Sequence, residues 1–136
     1  MKLFLDTADV DSISDSFLTG LIDGVTTNPT LMMKSGKNPE DVYQDLINLG
    51  VPDISMEVVG DSYEMIQEGL RLFKKFGQQA TIKVPCTPDG LIACRELSRN
   101  LIKVNVTLIF SPSQAILSAK AGATYVSPFV GRVDDN

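Results

Sequence analysis

No histidine occurs anywhere in the 136 residues. That absence removes the usual catalytic triads, most zinc chemistry and the commonest general base. Any proton transfer performed by this chain falls to carboxylates, lysine, tyrosine or ordered water. Cysteine is scarce too: Cys86 and Cys94 are too far apart for a redox CxxC pair and too few for a zinc site. No apolar run approaches the ~20 residues of a membrane helix, and even residues 104–110 are interrupted by Asn105 and Thr107. The opening MKLFLDTADVDS has one lysine and three apolar residues before its acids, which reads as a first strand rather than an export signal. The expectation is a cytoplasmic protein with free thiols and no membrane association. Acidic and basic residues are interspersed around a net charge of -5, which argues against nucleic acid as a partner.

What is present is an ordinary globular composition, enough for one domain over residues 1–136. Short β-rich runs alternate with segments of helical period. Strands are predicted at 2–5, 24–26, 54–57, 80–84, 103–106 and 124–127. Five helices are predicted between them. The first buries Val10, Ile13 and Phe17 and stops near Gly20. The second begins at Asn38-Pro39, buries Val42, Leu46 and Leu49, and ends at Gly50. The third starts at Asp61, buries Ile66, Leu70 and Phe73, and closes at Gly77. Thr87-Pro88 and Ser111-Pro112 open the fourth and fifth, and Gly122 ends the last. Strand–helix–strand connections throughout predict an α/β fold with a parallel sheet and right-handed crossovers.

In such a fold, chemistry gathers at the carboxyl ends of the strands. Those ends carry Asp6, Thr26-Thr27-Asn28, Glu57, Lys83, Asn105 with Thr107, and Ser127 followed by Arg132. Lys83 is the sharpest of them, set between Ile82 and Val84. Burial there favours the neutral amine, the form that attacks a carbonyl. An edge-strand lysine facing solvent fits the same residues. Asp6 reads as a proton acceptor at a hydroxyl or as a helix or turn cap. Glu57 reads as an acid–base group acting through water or as half of a surface ion pair. Asn28, held extended by Pro29, presents an amide suited to polyol hydroxyls or makes a simple Asn-Pro turn. Arg132 is a candidate phosphate anchor or a solvated loop residue.

The stretches LFLDTAD at 3–9, GVTTNPTLM at 24–32, TIKVPCTPDGL at 81–91, VNVTLIFSPSQA at 104–115 and AGATYVSPFVGRVDD at 121–135 together resemble the transaldolase family. The resemblance is to its short, single-domain branch, which also holds the fructose-6-phosphate aldolases. It implies a parallel (β/α)8 barrel of the TIM type, and a reaction needing no metal or organic cofactor. It also implies sugar-phosphate substrates: a dihydroxyacetone unit moves from sedoheptulose 7-phosphate to glyceraldehyde 3-phosphate, in the pentose phosphate pathway. Lys83 matches the family's imine lysine. Glu57 and Thr107 then position the water of imine formation, and Asp6 takes the proton from the C4 hydroxyl. Asn28, Thr26 and Ser127 hold substrate hydroxyls beside Phe129, with Arg132 on the phosphate. The aldolases of this branch carry Gln at position 57 and Tyr at position 129. Glu57 and Phe129 therefore favour transfer over free aldol cleavage.

The chain has six candidate strands rather than eight, so an incomplete barrel is expected. Either the sequence is a fragment or copies associate as a homo-oligomer to cover the gap. Two other readings accommodate a small α/β domain. A receiver-type phosphoacceptor module would share the early acids, the threonine and the lysine-proline segment. Its acceptor aspartate is missing, because the third strand ends in Glu57, and Lys83 precedes Thr107 in the chain. An inactive remnant would associate with longer homologues and form no imine.

Overall fold

Each α-helix among the described residues begins on a polar side chain that caps its first turn, and this repeated chemistry punctuates the chain. The structure is a computed structural model and describes residues 1–130. Asp9 caps α1 (Val10–Phe17), Asn28 caps α2 (Pro29–Ser35), and Asn38 caps α3 (Pro39–Leu49). Asp61 caps α4 (Ser62–Phe76), Thr87 caps α5 (Pro88–Arg99), and Ser111 caps α6 (Pro112–Lys120). Proline opens α2, α3, α5 and α6, where its missing N–H leaves no intrahelical bond unmade.

The described residues form six α-helices, α1 to α6, where the sequence predicts five. The addition is α2: its Asn28-Pro29 start repeats the signal at Asn38-Pro39, but it has only seven residues and fully buries only Met32. So short a segment shows no apolar stripe. A second correction concerns α4, whose fully buried line is Met65, Gly69, Leu72 and Phe76. The predicted Ile66, Leu70 and Phe73 lie one residue round the helix and are partly buried against the same core. Gly69 explains the rotation. A Cβ there would stand 2.9 Å from Leu97 and 3.3 Å from Ile82, so the bare backbone lets α4 settle on this side.

The strands are β1 (Phe4–Asp6), β2 (Gly24–Thr26), β3 (Ile54–Glu57), β4 (Ala80–Pro85), β5 (Lys103–Ile109) and β6 (Tyr125–Pro128). They pair in chain order, every pair parallel, in one six-stranded sheet. Side chains alternate across it. Val25, Ile54, Met56, Ile82, Val84, Val104 and Val106 form the core beneath the helices, while Ser55, Thr81, Lys83, Asn105 and Thr107, though buried, are polar. The polar face is the concave one.

Curvature is evident from contacts that skip strands. Neighbouring strands lie about 4.8 Å apart, so a flat sheet would hold β1 and β6 about 24 Å apart. Instead the Phe4 and Tyr125 rings meet edge to face, 5.3 Å between centroids. Tyr125 on β6 also donates its hydroxyl proton to Asp53 at the start of β3, at 2.8 Å. The sheet is thus a curled half-barrel, an incomplete barrel of the TIM type. Among the described residues, no helix is long and apolar enough to cross a membrane.

The amino-terminal end of this half-barrel is tied by Asp53. Its carboxylate accepts from Thr81 Oγ1 at 2.6 Å and from Tyr125, and pairs with Lys103 Nζ at 3.2 Å. One buried acid therefore connects β3, β4, β5 and β6, and its own partners satisfy it. Gly24 leaves room for the Phe4 ring to lie across β2; a Cβ there would strike that ring and approach the Asp53 carbonyl to 2.7 Å. Gly24→Ala is accordingly expected to cost about 1–3 kcal/mol of stability through overpacking, read as a lower midpoint in urea unfolding.

Candidate functional site

The carboxyl ends of the strands open on a cavity of about 610 Å³. Its wall includes Asp6, Thr26, Asn28, Glu57, Lys83, Thr107, Ser127 and Phe129. Most of the candidates read from strand ends therefore converge; Thr27 and Asn105 are not on this wall, and Arg132 lies outside the described residues.

Lys83 occupies the centre because of strand register. Strand β4 pairs with β3 on one side, where Glu57 is opposite Lys83, and with β5 on the other, where Asn105 is opposite it. The edge-strand alternative is thereby excluded. Lys83 is only 6% exposed. Its Nζ donates to the Thr27 carbonyl at 2.9 Å and stands 3.6 Å from Glu57 Oε2. The amine is thus held at the cavity by one neutral acceptor and one carboxylate.

Glu57 is half-buried at the end of β3. Burial pushes its carboxyl above the ordinary carboxylate range; the Lys83 ammonium opposes that shift, and Asp6 adds to it. It is not a surface ion pair, since its partner is the buried lysine. Asp6 is not a helix cap, a role taken by Asp9; instead Asp6 Oδ1 accepts from Thr26 Oγ1 at 3.0 Å. Asn28 does both things its sequence allowed. Its Oδ1 accepts from Leu31 N at 3.0 Å as the cap of α2, and the residue lines the cavity. Ser127 Oγ donates to Asn105 Oδ1 at 2.7 Å. Phe129 packs edge to face on Phe110, 5.8 Å between centroids, and makes that part of the wall apolar.

Thr107 differs from all of these. Its Oγ1 is the one buried side-chain oxygen or nitrogen among the described residues without a hydrogen-bond partner. A buried hydroxyl normally has one, so this atom is suited to bind a water or a substrate oxygen.

Two contributors carry no assigned role in the sequence reading. Asn105 links Ser127 to β3, donating from Nδ2 to Ser55 Oγ at 3.2 Å; its strand-end position was visible, but its partners depend on the curl. The Thr27 carbonyl is backbone and leaves no side-chain signal. Cys86 donates its backbone N–H to the Thr107 carbonyl at 2.8 Å and has no side chain on the cavity wall. Among the described residues, no group of three or more His, Cys, Asp or Glu could hold a metal ion.

The family model described as Transaldolase/Fructose-6-phosphate aldolase matches residues 3–136. A protein of Nitrosopumilus maritimus named probable transaldolase is 52% identical over 99% of this chain, a match covering 61% of that protein. Relatives of the same name from Anaeromyxobacter sp. (strain K) and Geobacter sulfurreducens are 56% and 54% identical, with 62% and 63% of their lengths matched. The chain thus spans about three fifths of the length of these curated relatives.

The raised Glu57 sets a pH signature on stability. The folded chain holds this proton more tightly than the unfolded chain, so ionising Glu57 opposes folding. That cost is absent below the ordinary carboxylate range and complete above the raised folded-state value. Urea unfolding of the chain and of Glu57→Gln at acidic and neutral pH is expected to show the Gln variant gaining relative stability as pH rises. Movement the other way would mean that Lys83 outweighs burial.

Proposed function

The chain belongs to the transaldolase/fructose-6-phosphate aldolase family, and from that premise we propose that it transfers a dihydroxyacetone unit between sugar phosphates through an imine on Lys83. The observation that carries this reading is the placement of Lys83: nearly buried, held by the Thr27 carbonyl and Glu57, and facing the cavity. A primary amine in such a place is suited to nucleophilic attack on a carbonyl carbon.

In the proposed sequence, Lys83 Nζ attacks the ketone carbon of a ketose phosphate such as sedoheptulose 7-phosphate or fructose 6-phosphate. The carbinolamine loses its hydroxyl as water, leaving a protonated imine. Glu57 and Thr107 hold the water through which these protons move. The raised carboxyl of Glu57 suits it to give a proton as well as take one. Asp6 takes the C4 hydroxyl proton as the C3–C4 bond breaks, and the bonding electrons pass into the iminium to form an enamine. The aldehyde portion leaves. An acceptor aldehyde phosphate, glyceraldehyde 3-phosphate in the donor reaction of the seven-carbon sugar, then takes the three-carbon unit, and hydrolysis frees Lys83. Asn28, Thr26 and Ser127 hold hydroxyls of the three-carbon unit, and Arg132 holds phosphate.

Transfer is preferred to simple aldol cleavage because Phe129 cannot donate a hydrogen bond to the catalytic water. Its packing on Phe110 supports an apolar role there. The transferred unit would then wait for an aldehyde beside an apolar wall.

The test is reduction with borohydride during incubation with fructose 6-phosphate, followed by mass spectrometry of the peptides. A reduced adduct is expected on Lys83 and none in Lys83→Arg. With no acceptor aldehyde phosphate added, little free three-carbon product should appear. A folded chain that never gives the Lys83 adduct would rule out the imine mechanism for this chain.

A further inference from the structure

Strand β5 contains an irregularity that the proposed reaction steps do not use. Val106 pairs with Val126 and Ile109 pairs with Pro128, so three steps along β5 match two along β6. Thr107 and Leu108 together stand opposite Ser127, as in a β-bulge. Leu108 carries the irregularity in its backbone, with φ of 60°. A branched L-residue seldom adopts that conformation. Leu101 has a similar φ of 62° but an ordinary explanation: it follows the carboxyl end of α5, where left-handed residues commonly end helices. Leu108 lies inside a strand and has no such explanation.

The effect on side-chain direction is specific. Consecutive strand residues face opposite sides of a sheet, yet Thr107 and Leu108 both line the cavity. Ile109 then turns back to the helix-side core, where it is 3% exposed. The bulge is fixed at both ends: the Thr107 carbonyl accepts from Cys86 N at 2.8 Å, and the Ile109 carbonyl accepts from Phe129 N at 3.1 Å. It therefore sets Thr107, with its partnerless hydroxyl, against Ser127 and Phe129.

We propose that Leu108 is a positioning residue whose left-handed backbone, rather than its side chain, holds Thr107 in register with the cavity. The proposal rests on the imine reading, in which Thr107 holds the water of imine formation. Left-handed strain kept within a strand at such a cavity fits a position whose geometry is used.

The experiment compares Leu108→Gly, Leu108→Ala and Leu108→Val by the rate of borohydride-trapped adduct formation on Lys83 with dihydroxyacetone as probe. Circular dichroism confirms folding of each. A packing role for the side chain ranks Val as the mildest change and Gly as the most damaging. Backbone positioning ranks them the other way, because Gly adopts the left-handed region freely and a β-branched residue resists it. Val is expected to form adduct at least tenfold more slowly than Gly, with Ala between them. If Val does not fold, Ala against Gly still decides, since they differ by one methyl. Thr107→Ala combined with Leu108→Val should be no slower than Thr107→Ala alone, as the two changes remove one function. Gly slower than Val, or additive losses in the double variant, would overturn the proposal while the Lys83 adduct of the unaltered chain upheld the imine. A folded, unaltered chain giving no adduct would overturn both.

Discussion

A lysine side chain on a central parallel strand between Ile82 and Val84 must find polar company on one face of the sheet. Desolvating it without partners would cost several kcal/mol. Here the alternation of β4 sends Ile82 and Val84 into the helix-side core and Lys83 to the concave side. Register then supplies neighbours, with Glu57 opposite on β3 and Asn105 opposite on β5. Much of the rest follows from this placement. The concave side must stay polar near Lys83, the sheet must curl for the Thr27 carbonyl to reach Nζ, and the helices must cover the apolar side alone.

The order of elements was legible because it is written in local chemistry. Asn38-Pro39, Thr87-Pro88 and Ser111-Pro112 cap helices as their sequences suggest. Gly50 ends α3 in a left-handed conformation. Misreadings arose where local signals were weak or tertiary packing decided. Helix α2 is too short for a periodic stripe. The buried side of α4 was fixed by the close approach that Gly69 permits to Leu97 and Ile82, which helical periodicity cannot weigh. Strand β5 runs on to Ile109, past the predicted end, because a bulge at Leu108 allows pairing to resume with Pro128.

The site was legible to the extent that it consists of side chains at strand ends. In a parallel sheet all those ends point one way, so Asp6, Glu57, Lys83 and Thr107 could be grouped before their contacts were known. What sequence could not supply was the curvature joining non-adjacent strands. Without it, Asn105 has no reason to reach Ser55 across β4, nor Lys83 to find a backbone carbonyl beyond β2. Leu108 was invisible for another reason. Leucine has no preference for left-handed backbone, so its conformation is imposed by the register on either side.

The two ends of the half-barrel use polar burial in opposite ways. At the amino-terminal end, Asp53 is saturated by Thr81, Tyr125 and Lys103. A satisfied network in a low-dielectric interior resists rearrangement and ties several strands together. At the carboxyl end, the groups are deliberately less complete: Glu57 is held above its ordinary range by burial, and Thr107 Oγ1 has no protein partner. Unsatisfied groups of this kind oppose folding and are sustained by stability gained elsewhere. The saturated clasp lies on the same strands that carry the candidate cavity: β3 runs from just beyond Asp53 to Glu57, β4 carries Thr81 and Lys83, and β5 carries Lys103 and Thr107. Rigidity at one end of each strand thus fixes the direction of the incomplete group at the other, which is how a sheet can hold a side chain such as Thr107 in place while its hydroxyl has no protein partner.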